Sequence, residues 1–287
     1  MQKLLAHWWF RLIIAIIASI LFILPLKFLP FGSIISAILI AITLTFVSIS
    51  ILAIRAGSSF NAFGLQFDKF AFIDIFKGLL IVIVMNAIFI LIGLLMGYEY
   101  KIHENFYTFN YKTFLFFSFY IFIMAYLEEI LFRGILFQTI RERFGDIIAI
   151  ALLSIFFSFA HYNNPNISNM GLVNIIVAGI MLSVLYITTE SLWLPISVHF
   201  FWNLNQQLFL GSNVSGISFD IELFQLTAIN NNSNWLFGGQ FGIEEGLLTT
   251  ILLTILTIIS FKINKQNPYI MATKFKIKFE ESKLLEK

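Results

Sequence analysis

The chain has 287 residues, of which 59% are hydrophobic and 12% charged, with a mean hydropathy of +0.89. Soluble domains carry about 25% charged residues, so a soluble globular fold is excluded, and a net charge of +2 without a basic, aromatic-interleaved stretch gives no footing for a nucleic-acid partner. The absence of cysteine excludes disulfides, a thiol nucleophile and thiolate metal ligation.

Crossing roughly 30 Å of hydrocarbon takes about 20 apolar residues. Eight spans are predicted on that ruler, at about 10–29, 33–54, 76–97, 113–140, 147–163, 171–188, 192–211 and 243–262. The first run leads into Leu29-Pro30-Phe31-Gly32 without a small-residue cleavage site, which predicts a retained span rather than a cleaved leader. Ser212–Gly242, with Asn230-Asn231-Asn232-Ser233-Asn234, reads as a loop. The tail after Lys262 alternates lysine with apolar residues and is expected to be disordered. With a cytoplasmic N-terminus, fourteen basic residues fall on the cytoplasmic side and only Lys27, Lys101 and Lys112 on the other. The positive-inside rule therefore predicts a cell-membrane protein with both termini cytoplasmic. The turn Thr188-Thr189-Glu190-Ser191 fits this least, since it carries no Lys or Arg.

Three sets of polar residues interrupt the apolar spans. Glu128, Glu129 and Arg133 sit in the fourth, where a charge in hydrocarbon costs a few kcal/mol or more and marks a functional candidate. Glu129 and Arg133 are four apart, share a helix face and are predicted to pair. Glu128 is turned by about 100° from Glu129 and is left free to act as a base. His161 closes the fifth span, and His199 and Asn203 share a face of the seventh. At 1.5 Å per residue, Glu128 and His161 lie about 20 and 21 Å from the cytoplasmic ends of their spans, and His199 and Asn203 about 12 and 18 Å. The sets can thus meet at one level. Glu128 with His161 can polarise a water while His199 and Asn203 donate to an oxyanion; alternatively Glu128, His161 and His199 can ligate zinc. No His-Glu-x-x-His, intramembrane aspartyl pair or Gly-x-Ser-x-Gly elbow is present.

Glu-Glu-x-x-x-Arg (Glu128, Glu129, Arg133), Phe-x-x-x-His (Phe157, His161) and His-x-x-x-Asn (His199, Asn203) occur in that order on successive spans. This set resembles the CAAX-protease and bacteriocin-processing (CPBP, or Abi) family of intramembrane proteases. Ser191-Leu192-Trp193 with Pro195-Ile196, and the glycine-rich Phe237–Gly242 stretch with Glu245-Gly246, resemble further family segments. The resemblance implies an all-α, polytopic transmembrane helix bundle of about eight spans with its active site in an intramembrane cavity. It implies an endopeptidase, often labelled a metalloprotease, in which Glu128 and His161 activate water, His199 and Asn203 hold the oxyanion, and Glu129 and Arg133 are supporting. Zinc and a metal-free glutamate mechanism are both open.

The expected organisation is N-terminal spans over 1–112, a catalytic core over 113–211, a loop plus last span over 212–262, and a basic tail over 263–287. The expected substrate is a membrane-anchored protein or peptide within the bilayer. The Ile/Phe/Asn/Lys-rich composition looks like that of a low-GC bacterium, where prenylated CAAX proteins are not expected and bacteriocin immunity or peptide maturation fits better. The competing classes are a proton-coupled transporter, which would show inverted repeats or paired broken helices, and a non-catalytic immunity or scaffold protein.

Overall fold

A computed structural model describes residues 7–23, 38, 42–48, 64–229 and 234–263. Most of the predicted second span and the tail beyond 263 lie outside them. The elements are α1 (Trp8–Ile23), α2 (Lys69–Leu95), β1 (Tyr98–Ile102), α3 (Tyr111–Glu129) and a π-helical segment (Ile130–Leu136), followed by α4 (Phe137–Phe144), α5 (Asp146–Ala160), α6 (Asn169–Thr189), α7 (Trp193–Leu210), β2 (Phe224–Ala228), α8 (Asn234–Phe237) and α9 (Leu247–Ile263). The helices Lys69–Leu95, Tyr111–Phe144 and Asn169–Thr189 are long and apolar enough to cross a membrane, and shorter apolar helices accompany them. The protein is a multi-pass membrane protein built mainly of helices.

Two features depart from the expectation of an all-α chain. The segment 212–242 is not merely a loop: its residues Phe224–Ala228 pair antiparallel with Tyr98–Ile102, from Tyr98 opposite Ala228 to Ile102 opposite Phe224. A ruler of about 20 residues cannot register five-residue strands that satisfy their backbone polar groups against each other. The other departures are in span limits. Helix α2 begins at Lys69, ahead of the predicted 76, because Asp68 caps it by accepting from Phe70 N at 2.9 Å and Ala71 N at 3.1 Å. The last helix begins at Leu247, after a 3₁₀ turn over Ile243–Glu245.

Helix α7 packs against α2, α3 and α6. Its polar residues are therefore inside the bundle: Asn203, Asn205, Gln206 and Gln207 are all buried. Asn86 of α2 donates to Asn205 at 2.9 Å, and Ser197 donates to the Ile75 carbonyl at 2.7 Å. At one end of the bundle, Arg11 pairs with Glu142 at 2.5 Å, and Arg141 pairs with Asp146 at 2.5 Å and Glu190 at 2.8 Å. The turn that carries no basic residue of its own is thus neutralised by Arg141, a neighbour in space 49 positions earlier.

Helices α5 and α6 approach closely at Gly179, where a Cβ would lie 2.9 Å from both Cα and Cβ of Ser154. Alanine gains about 0.5–1 kcal/mol over glycine by helix propensity, but here it meets backbone that cannot swing away, and overpacking costs about 1–3 kcal/mol. Gly179→Ala is therefore expected to lower the thermal midpoint in detergent. An unchanged or raised midpoint would contradict this packing.

Candidate active site

Glu128 and Glu129 close α3, and the chain then continues as the π-helical segment, a widened turn that recurs at functional sites. Arg133 leaves from this segment and donates to Glu129 Oε1 at 2.8 Å and to the Gly179 carbonyl at 3.2 Å. Gly179 thus both permits close packing and supplies a carbonyl to the buried cation. The guanidinium also lies 4.5 Å from the centroid of the Phe157 ring. Glu129 and Arg133 are 0% and 1% exposed, so each depends on the other for compensation of a buried charge. The predicted pairing is present.

Phe157 organises the opposite wall. Its ring packs against His161 (centroids 4.8 Å apart) and His199 (6.2 Å), and its carbonyl faces His161 Nδ1 at 2.7 Å. A carbonyl only accepts, so His161 Nδ1 carries a proton and Nε2 is the ring nitrogen left for other partners. His161 caps the C-terminus of α5. Across the cavity, His199 Nδ1 lies 2.9 Å from Glu129 Oε1, a contact between residues 70 apart that helix spacing did not foretell. A carboxylate only accepts, so His199 Nδ1 donates to Glu129 and Nε2 is left for other partners.

Both Nε2 atoms turn toward Glu128. Its Oε2 lies 3.7 Å from His161 Nε2 and 3.9 Å from His199 Nε2, with no direct hydrogen bond among the described residues. Unlike Glu129, its side chain is 27% exposed. His161, His199 and Asn203 line a cavity whose other walls are largely apolar, including Met85, Ile175, Met181 and Trp202. The structure thus brings Glu128, His161 and His199 together, with Asn203 on the same cavity wall as His199.

Residues 110–205 match the family described as Rce1-like, type II CAAX prenyl endopeptidase. This match supports a likeness of the stretch to the CPBP (CAAX-protease) family. It spans about one third of the chain and contains Glu128, Glu129, Arg133, His161, His199 and Asn203. No curated protein and no solved structure matches the chain. The match supports an intramembrane endopeptidase in general terms.

Two imidazoles and a carboxylate are a donor set that zinc takes, but their spacing here is wide for it. Tetrahedral ligands at about 2.0–2.2 Å from the metal stand roughly 3.3–3.5 Å from one another, and the Glu128–imidazole separations are wider. Among the described residues no group of three His, Asp or Glu side chains is arranged to hold a metal ion. The residues as placed do not fit zinc.

Beyond the matched stretch, the glycine-rich loop before α9 adds a cavity residue absent from the sequence reading, Glu244. The sequence reading named its neighbour, Glu245, only as part of a glycine-rich segment. Glu245 turns back on its own loop, accepting from Gly239 N at 2.7 Å and Phe241 N at 3.2 Å, whereas Glu244 faces the cavity and accepts from Ser215 N at 2.7 Å. Burial raises the Glu244 pKa above the ordinary carboxylate range, against the opposing pull of the Ser215 N–H and the two imidazoles.

Proposed function

We propose that the protein is an intramembrane endopeptidase that hydrolyses a peptide bond of a membrane-anchored protein or peptide with a glutamate-activated water. The observation that carries this reading is the placement of Glu128 Oε2 opposite two imidazole Nε2 atoms, at 3.7 and 3.9 Å, where both imidazoles line a largely apolar cavity. Those gaps are too long for direct hydrogen bonds and suit groups that share a water.

In this reading, one water donates its two hydrogens to Glu128 and to the His161 lone pair. Glu128 takes a proton as the water oxygen adds to the scissile carbonyl carbon. The oxyanion that forms accepts from His199 Nε2–H, which Glu129 keeps protonated through Nδ1, and from the Asn203 amide. Arg133 prevents Glu129 from being an uncompensated buried charge. Collapse of the tetrahedral intermediate breaks the C–N bond, and the departing nitrogen takes a proton. The apolar walls exclude bulk water and accept apolar substrate groups. The family's description as a CAAX prenyl endopeptidase supports a peptide bond close to a membrane anchor as the target; the composition favours an unprenylated substrate.

The test is cleavage of membrane-anchored peptides by the purified protein in detergent, before and after exhaustive chelation. A glutamate mechanism expects the same rate in both. Loss on chelation with recovery on adding zinc would replace it with a metal mechanism, and cleavage of no peptide would remove the endopeptidase reading.

A further inference from the structure

The departing amine needs a proton, and within the matched core Glu128 stands beside the two imidazoles that line the cavity. Glu244 comes from another wall. Its backbone is fixed on both sides: Asn174 Nδ2 donates to the carbonyls of Glu244 at 2.8 Å and Gly246 at 2.9 Å, and Thr249 donates to Ile243 O. The loop's path depends on Gly242 at φ +116°, where a Cβ would lie 2.2 Å from Asn213 O. The side chain is held as well, since Ser215 N ties one carboxyl oxygen while no hydrogen bond to the other is formed among the described residues. That second oxygen belongs to a group lining the same cavity as His161, His199 and Asn203, close enough for its charge to be felt by both imidazoles. The Gln206 side chain, 0% exposed, lies beside the Glu244 carboxyl. A purely structural acceptor for one backbone N–H does not require an ionisable group opening on a reaction cavity.

We infer that Glu244 is the general acid of the reaction, the carboxyl that protonates the leaving amine; this rests on the endopeptidase reading above. As the C–N bond of the tetrahedral intermediate breaks, the bond electrons pass to nitrogen and the Glu244 carboxyl transfers its proton there. The resulting carboxylate regains a proton from Glu128, which took one from the attacking water. The sum is one water consumed, one carboxyl and one amine formed, and both glutamates restored.

The experiment compares a membrane-anchored peptide cleaved by the wild type with its depsipeptide analogue, which carries an ester at the same bond. An alkoxide leaves with far less help from an acid than an amine does. Glu244→Gln, which keeps an acceptor for Ser215 N, is expected to lower kcat on the amide by about 100-fold or more with KM unchanged. The same variant is expected to keep kcat on the ester within about threefold of wild type, consistent with loss of the general-acid term alone. Glu128→Gln should abolish both. Should Glu244→Gln fail to fold by its thermal midpoint, Glu244→Asp, with the carboxyl withdrawn by one methylene, is expected to show the same amide-selective loss. Equal losses on amide and ester, or none on either, would overturn the role of Glu244 while leaving the endopeptidase reading intact. A wild type inert on both would instead remove that reading.

Discussion

Glu128→Gln is expected to reduce peptide hydrolysis by at least about 10²–10⁴-fold while the protein keeps its fold. The carboxamide has nearly the same volume but cannot accept a proton from water at neutral pH. Stability should barely change, because Glu128 makes no direct hydrogen bond among the described residues and stands 3.7–3.9 Å from its imidazole neighbours. Its charge is also adjacent to that of Glu129, so removing it relieves a like-charge contact within the bundle. Kinetics on a membrane-anchored peptide, paired with a thermal melt in the same detergent, separate the two effects. Retained activity would dismiss Glu128 as the base, and a collapsed melt would make it a structural residue.

Glu129 and Arg133 are expected to behave in the opposite way. Either single change, Glu129→Gln or Arg133→Met, leaves one buried charge without its 2.8 Å partner and should cost about 3–5 kcal/mol. The double variant removes both charges, and replacing a buried pair by uncharged groups is commonly neutral or stabilising. Stability should therefore return to near the wild-type value, a strong coupling in a double-mutant cycle. Activity should not return. Glu129 Oε1 also faces His199 Nδ1 at 2.9 Å, and a neutral amide there no longer favours the imidazolium that supplies an Nε2–H to the oxyanion. Denaturation midpoints and kcat measured on the four proteins decide the matter. Additive destabilisation would show that the pair is not energetically linked, and a fully active double variant would show that Glu129 does not act through His199.

The two adjacent glutamates thus have different physical duties, and the first part of that division is legible in the chain. Spacing of four residues placed Glu129 and Arg133 on one helix face, and they pair. Depth estimates along separate helices put Glu128, His161, His199 and Asn203 at one level, and a single cavity gathers the last three beside Glu128. The multi-pass membrane character was legible because hydrocarbon demands long apolar runs, an averaged property that tolerates local detail.

What the sequence determined by itself was therefore the class of molecule, the order of its polar residues and the contacts made within a helix, since helical geometry fixes residues three and four apart. The tertiary structure alone decided how each helix is rotated against the next. That rotation, set by close approaches such as Gly179 against Ser154 and Gly78 against Ser197, turned His199 Nδ1 onto Glu129 and both Nε2 atoms onto Glu128. It also decided which of Glu244 and Glu245 enters the cavity, because that choice hangs on a loop whose path is set by positive-φ glycines and by backbone contacts with Asn174 and Ser215. Contacts between distant residues depend on packing and on loop closure, and neither leaves a periodic trace in the chain.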